Sequence, residues 1–322
     1  MGNTILTGVK PTGSPHLGNL FGAIRPAIGL ANANDGANFV FIADIHSLNS
    51  YKGAGFLREK TCEVAAAFLA LGLNADRTAF YRQSDIAEVF ELSAILANFC
   101  AKGLMNRAHA YKAALEKGGD AEVNMGLYTY PILMAADILA MGADIVPVGL
   151  DQKQHIEIAR DIAASFNHAT ASMALKPPSA AIQKGVETIS GLDGRKMSKS
   201  YGNTLEVFAS AAETEKKVAR IPTDSLPPSA PKPDDSALYR LMALFEVPGD
   251  FLRRYLDGGI GYGEAKKALS ERINSALSAA RGEYARIMAD RGYIDKTLAL
   301  GAQKARLAAA KTLSDVKRAL GI

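Results

Sequence analysis

Two stretches of this chain carry side chains whose types and spacing suit chemistry on an anion. The first is KPTGSPHLGN, residues 10–19. Pro11 and Gly13 break the strand-like run before it, and Pro15 fixes the entry to a helix that starts near His16 or Leu17. Gly18 lets the backbone approach something closely. The N–H groups of a helix start lack intrahelical partners and attract phosphate. His16 and Asn19 can donate from the same turn, and Lys10 faces it from the strand end. Taken alone, the stretch is also what an ordinary strand–turn–helix connection looks like. The second stretch is GRKMSKS, residues 194–200. Arg195, Lys196 and Lys199 set cations close together, Ser198 and Ser200 add hydroxyl donors, and Met197 reads as exposed. Gly194 and Gly202 point to a mobile loop rather than a helix face, although a run of charge is more often solvated surface. A triphosphate is the small anion of matching charge. Neither a Walker A loop nor a Gly-rich dinucleotide fingerprint occurs in the chain.

Both stretches need a frame to hold them. Residues 3–9, 39–45, 79–81 and 144–148 read as buried strands. Residues 17–33, 55–72, 90–102, 126–141 and 152–167 read as helices, the last with Ile156, Ala159, Ile162, Ala163 and Phe166 on one face. Continuous β-branched runs alternating with helices predict an α/β domain, a parallel sheet covered on both faces. In such sheets ligands sit beyond the carboxyl ends of the strands near a switch point, so the chemistry is expected after Val9, Ile45 and Val148. Past Ser200 the strand signals vanish. Residues 222–235 are too rich in proline for regular structure and read as a surface loop, and residues 236–322 read as amphipathic helices. No repeat of fixed period occurs. The expected architecture is a Rossmann-like parallel-sheet domain over residues 1–203, followed by an all-helical C-terminal domain over residues 204–322.

Composition narrows the class further. The chain has 322 residues, 48% of them apolar, enough to bury a core without covalent staples. Its two cysteines, Cys62 and Cys100, lie in apolar helical patterns, and the absence of CxxC or a Cys/His cluster argues against structural zinc. They read as buried thiols of a reducing cytosol. The N-terminal apolar stretch is interrupted by Lys10 and is no signal peptide. No apolar run reaches the length of a membrane span, so a cytoplasmic location is expected. Net charge is +4. Residues 204–322 hold 19 Lys and Arg against 15 Asp and Glu, whereas the first 203 residues are neutral. A basic C-terminal part is compatible with a polyanionic partner, and equally with a solvated helical surface.

The two anion-suited stretches are more specific together than apart. A P-x-G-x-x-H-[LI]-G-N turn after the first strand, followed late in the sheet region by KMSKS, resembles the class I aminoacyl-tRNA synthetases. HLGN at 16–19 matches the first signature of that class, and residues 196–200 match the second without change. Further segments narrow the resemblance to the tryptophanyl-tRNA synthetase family: YPILMAADIL (130–139), DIVPVGLDQKQHIEIARDIA (144–163), TEKKVARIPTDS (214–225) and GAQKARLAAA (301–310). The similarity thus runs almost end to end. Tyrosyl-tRNA synthetase is the nearest relative outside that family.

The resemblance implies particular roles. Tyr130, Met134 and Asp137 recur at i, i+4 and i+7 and share a helix face. Tyrosyl enzymes place Gln at the Met134 position to serve a phenol, which both donates and accepts. An indole has one N–H donor and no acceptor, so Asp137 alone satisfies it while Met134 packs its sulfur on the ring. The implied tryptophan pocket is Gly8, His46, Tyr130, Met134, Asp137, Val146, Val148 and Gln152, with Lys10 at its edge. The implied ATP site is Lys10, Pro11, Thr12, His16, Gly18, Asn19, Gly149, Leu150, Asp151, Ile189 and the loop Lys196, Met197, Ser198, Lys199 and Ser200. Asp151 is placed for the ribose and Ile189 for the adenine. His16, Lys10, Lys196 and Lys199 are the expected catalytic groups. ATP and Mg²⁺ are the implied cofactors, the metal arriving on ATP rather than in a site of the protein's own. Implied partners are L-tryptophan, tRNA(Trp) and a second copy of the chain in a homodimer, with no DNA and no membrane. The basic stretch 304–318, with Lys304, Arg306, Lys311, Lys317 and Arg318, is expected to meet tRNA phosphates.

Some positions depart from the commoner bacterial pattern. Lys10 stands where many members carry Gln. ADIHS (43–47) replaces a more usual D-Q-H-A-I, so His46 is matched over a short stretch. In NRAHAYKAAL (106–115) only Lys112 remains of a lysine-bearing segment, and it is not assigned a catalytic role. Three rival readings share parts of the pattern: a tyrosyl enzyme, a small-metabolite nucleotidyltransferase with the same turn, and an inactive RNA-binding paralogue. Met134 speaks against the first, the long basic helical tail against the second, and the intact lysine loop against the third.

Overall fold

The computed structural model describes residues 2–50, 53, 55–182 and 189–322, with only the backbone of Lys117, Glu122 and Asp151. Five parallel strands, β1 (Ile5–Val9), β2 (Asn38–Ile42), β3 (Thr78–Arg82), β4 (Ile145–Val148) and β5 (Ser179–Ile182), form one sheet in the order β3-β2-β1-β4-β5. The sheet grows outward from β1 to β3, then returns to the other side of β1 with β4. The switch point therefore falls between β1 and β4, where a crevice opens at the carboxyl ends. These two strands pair at their starts, through Ile5 and Ile145. Every residue of β2 is buried, as expected for an inner strand of a sheet covered on both faces.

Thirteen α-helical segments accompany the sheet among the described residues. They are α1 (Leu17–Asn19), α2 (Arg25–Ala33), α3 (Phe56–Ala70), α4 (Ala87–Leu96), α5 (Lys102–Asn106), α6 (His109–Gly118), α7 (Met125–Ala140) and α8 (Lys153–Ala169), then α9 (Ala211–Ala219), α10 (Ala237–Leu244), α11 (Gly249–Asp257), α12 (Tyr262–Ala289) and α13 (Arg291–Leu320). The α/β class and the parallel sheet are as expected, with differences at the edges of elements. The strand read as 39–45 stops at Ile42, because the Asp44 carboxylate accepts from the Ile45 and Ser84 N–H groups and turns the chain. The helix read as 90–102 begins at Ala87 and ends at Leu96, followed by a 3₁₀ turn. Cys100 consequently lies past that turn and is half-buried, whereas Cys62 is buried in α3; both are free thiols. β5 escaped the sequence reading because SAAI is short, mostly small and at the sheet edge.

The C-terminal helices pack on the sheet region by two routes. Leu17, Leu20 and Met197 share a buried cluster with Leu205, Leu238, Leu241, Tyr255 and Leu269, so apolar packing crosses position 203/204. The last helix, α13, then returns to the open edge at β3, where Ala302, Ala305 and Ala309 join the core of β2, α4 and α7. Covering an edge strand removes a row of unpaired backbone groups from solvent. The approach is close enough that a Cβ on Gly301 would lie 1.9 Å from the Phe80 carbonyl oxygen. Lys304 donates to the Asp76 carbonyl at 2.7 Å and Arg306 to the Asp85 carbonyl at 2.8 Å, fastening the helix along β3. No described helix is long and apolar enough to cross a membrane.

Candidate active site

At the switch point lies a cavity of about 440 Å³. β1 contributes Leu6, Thr7 and Gly8, the turn after β2 contributes His46, α7 contributes Tyr130, Met134, Asp137 and Ile138, and β4 with its following turn contributes Val146, Pro147, Val148, Gly149 and Gln152. The helical spacing of α7 aims its three expected side chains the same way. All eight residues expected around tryptophan line this one space, and Lys10 stands at its edge. Gly22, Ala23 and Ala27 form the opposite wall, the first two in a π-helical turn, Leu20–Ile24, between α1 and α2. Small residues there leave the room. Gly8 has no alternative either, since a Cβ would stand 2.6 Å from the Phe41 ring.

The polar floor of the cavity is a buried network around Asp137. Its Oδ2 lies 2.9 Å from His46 Nε2 and 2.8 Å from Gln83 Nε2, while its Oδ1 takes Gln83 Nε2 at 3.0 Å. Gln83 Oε1 in turn accepts from the His46 backbone N–H at 3.2 Å. Burial pushes the Asp137 pKa upward, partly offset by the His46 and Gln83 hydrogen bonds. The Tyr130 hydroxyl meets His155 Nε2. Gln83 and Asp44 were not found from the sequence. Both follow strands, and the strand-end rule would have reached Gln83 had β3 been read to Arg82 instead of Tyr81.

The two signature stretches meet each other, and Lys10 of the first also lines the cavity. Gly18 N–H points at Met197 Sδ, 3.4 Å away, and Lys199 Nζ donates to the Thr12 carbonyl at 2.9 Å. Met197 is 4% exposed, which corrects the expectation of an exposed side chain: it is an apolar plug that docks the loop on α1. The helix start differs from expectation as well. His16 N–H donates to Asn19 Oδ1 at 3.2 Å, Leu17 N–H to the Leu205 carbonyl at 2.8 Å, and Asn19 N–H to His16 Nδ1 at 3.3 Å. With Gly18 N–H on Met197, these donors are already engaged, so the anion-binding capacity lies in side chains. Since His16 Nδ1 is an acceptor, Nε2 carries the proton and remains available to donate. Burial, then Lys199 nearby, lowers the His16 pKa to about 4, keeping the ring neutral. Burial and then the neighbouring Lys60 lower the Lys199 pKa, with Glu63 and Glu206 opposing. Burial also lowers that of Lys10.

The loop itself is braced. Asn203 accepts from Ser198 N–H at 2.8 Å and donates to Asp193 at 2.7 Å and the Lys196 carbonyl at 3.1 Å. Ser198 and Ser200 hydroxyls lie 2.9 Å apart. Arg195 is folded back on Asp193 at 2.6 Å, while Lys196 and Lys199 are exposed. Pro11 is buried beneath the turn. Ile189 lies outside the main cavity, where its carbonyl takes Met197 N–H at 2.9 Å. Leu150 is exposed beside Gly149, and the Asp151 side chain lies outside the described residues. The basic stretch 304–318 is largely spent on the protein: besides Lys304 and Arg306 on β3, Lys317 pairs with Glu91 and Arg318 with Asp315.

A turn carrying Lys10 and His16, docked by a lysine loop, and an apolar slot with a buried acid suit an enzyme that takes an aromatic amino acid and a nucleotide. The family model described as tRNA synthetases class I (W and Y) matches residues 2–278. A tryptophan–tRNA ligase of Neisseria meningitidis serogroup A is 47% identical over 99% of this chain and 97% of its own length. One from Pseudomonas syringae pv. tomato is 45% identical over 100% of this chain and 74% of its own. Among solved structures, tryptophanyl-tRNA synthetase from Campylobacter jejuni, complexed with ADP and tryptophan, is 38% identical with a TM-score of 0.92, covering 99% of this chain and 100% of that one. The chain belongs to the class I tRNA synthetases and, within them, to the tryptophan–tRNA ligase family.

Proposed function

We infer that the chain activates L-tryptophan with ATP and transfers it to tRNA(Trp). The tryptophan carboxylate attacks the α-phosphorus of ATP, giving tryptophanyl-adenylate and pyrophosphate. The adenylate then esterifies the terminal adenosine of the tRNA, at the 2′-hydroxyl as is usual for the class. The attacking carboxylate is already ionised, so the first step needs no side chain as base. Catalysis rests on positioning and on stabilising charge. In this reading His16, through Nε2–H, and Lys10 serve the α-phosphate, while Lys196 and Lys199 take charge from the leaving pyrophosphate. The groups at this end are cations and hydroxyls, which suit phosphate oxygens rather than a metal. Mg²⁺ would accordingly enter on the triphosphate and share in neutralising it.

The observation that carries the reading is an apolar slot at the strand ends with a buried carboxylate facing it, lined also by Lys10 of the turn stretch on which the lysine loop docks. Residues 1–203 would hold the chemistry, and the helices of 204–322 would contact tRNA. Phosphate contacts would then use exposed cations such as Lys216, Arg220 and Lys311, since most of the 304–318 cations are committed within the protein. A homodimer in the cytoplasm is part of the same reading. ATP–pyrophosphate exchange without tRNA, run with each of the twenty amino acids, tests it. Exchange with tryptophan alone supports the assignment; exchange with tyrosine, or with none, overturns it.

A further inference from the structure

We propose that Gln83 is a specificity-determining positioning residue: it holds Asp137 so that a lone pair of Oδ1 stays open to an N–H donor in the cavity. Gln83 is 1% exposed and Asp137 3%. The amide cannot turn over without loss. Its Oε1 accepts from His46 N–H at 3.2 Å, so its nitrogen must face the carboxylate, where it reaches Oδ1 at 3.0 Å and Oδ2 at 2.8 Å. A flip would set N–H against N–H and carbonyl against carboxylate. The backbone of Gln83 is held as firmly. Ile86 N–H closes a turn on its carbonyl at 3.1 Å, Ser84 N–H is fixed by Asp44 at 3.0 Å, and Arg306 of α13 grips the Asp85 carbonyl at 2.8 Å.

A carboxylate offers about four lone-pair sites. With Nε2 of His46 protonated, Oδ2 receives two donors, His46 and Gln83, and is filled. Oδ1 receives Gln83 only, which leaves it one site. A single N–H donor such as an indole completes the set. A phenol could donate there, but its oxygen would still need a donor, and the Gln83 amide is turned onto Asp137. The acid that selects the ring is thus itself set by a residue that lies outside the lining of the cavity.

This rests on the tryptophan-activating reading, and the test separates the two. Exchange kinetics are measured for the full chain and for Gln83→Leu and Gln83→Glu, with tryptophan and with an analogue whose ring is benzothiophene, sulfur replacing the N–H. Folding is checked by circular dichroism. For Gln83→Leu the tryptophan KM is expected to rise about 10- to 100-fold, the scale of a lost buried hydrogen bond to a charged group. The KM for ATP should hold, and the preference for tryptophan over the benzothiophene analogue should shrink by a similar factor. For Gln83→Glu the KM for tryptophan should fall again as pH is lowered, because the protonated carboxyl then donates to Asp137 as the amide did; the parent chain should show no such recovery. A folded Gln83→Leu variant with unchanged preference between the two rings overturns the proposal. So does a Gln83→Glu variant whose tryptophan KM is independent of pH. No exchange by the parent chain with tryptophan would instead overturn the functional reading, and the inference with it.

Discussion

Replacing Gly18 with alanine separates the positioning of His16 from the stability of the fold. The added Cβ would lie 2.9 Å from both Cε1 and Nδ1 of His16 and 3.5 Å from Met197 Cβ. An ordinary carbon contact needs about 3.5 Å or more, so the imidazole must move by roughly half an ångström. The bond from Asn19 N–H to Nδ1 is already 3.3 Å long and would not survive the move. Losing that cap costs about 1 kcal/mol. The helix recovers about 1 kcal/mol from exchanging glycine for alanine. Net stability should therefore stay near that of the parent, with a melting shift of no more than about 4 °C. The rate should not. A preorganised donor to the reacting phosphate is worth about 10²–10³ in kcat, and Nε2–H is aimed by the same ring that is displaced. Exchange is measured at saturating ATP and tryptophan, and tryptophan binding by equilibrium dialysis. The expected result is kcat lower by about 100-fold or more with tryptophan affinity nearly unchanged. A stable variant with kcat within about threefold of the parent would refute the role given to His16.

Lys199→Ala should cut the adenylation rate with little change in equilibrium tryptophan binding, because Lys199 lies on the turn at Thr12 and away from the residues that line the aromatic slot; lost tryptophan affinity with an unchanged adenylation rate constant would reverse that assignment. His16, with a folded pKa of about 4 against 6.5 for the free side chain, binds a proton in the unfolded chain but not in the folded one between those values. Its effect on stability therefore worsens as pH falls from about 6.5 to about 4 and is constant above, and an NMR titration that finds this imidazole protonating near 6.5 would contradict the burial argument. Gly301→Ala would set a Cβ 1.9 Å from the Phe80 oxygen and 2.6 Å from its nitrogen, lifting α13 from β3. Overpacking of this kind costs about 1–3 kcal/mol, and a variant that melts at or above the parent temperature would show that the helix does not rest on the strand.

What the sequence made legible follows from the range of the interactions involved. Tyr130, Met134 and Asp137 could be placed together because a helical period puts them on one face, whereas Gly8, His46, Val146 and Gln152 came from the family resemblance and agree with the rule that strand ends in a parallel sheet converge. The helical period and the strand-end rule are local rules applied to local patterns. Three features had no such rule. Met197 sits between polar residues that suggest exposure, and what buries it is Gly18, 179 positions away, together with helices that follow the loop. The N–H groups of α1 look vacant in sequence, yet Leu205, Met197 and the Asn19 side chain occupy them. The cations of 304–318 look like a phosphate-binding surface, yet Lys304 and Arg306 reach backbone carbonyls at the two ends of β3. In each case a group whose type suggests a ligand is engaged by the protein first. In the proposed function that would shift the chemistry onto the remaining polar atoms: His16 Nε2, the ammonium groups of Lys10, Lys196 and Lys199, and a lone pair of Asp137. The methionine between the two loop lysines then has a physical reason. In the proposed function, a lysine loop that closes on a triphosphate would repel itself and its target turn, where Lys10 also stands, and the apolar contact of Met197 with α1 supplies an attraction that does not depend on the anion being there. The motif pair is in this sense one contact with two halves, an apolar half that docks and a cationic half that, in the proposed function, would react.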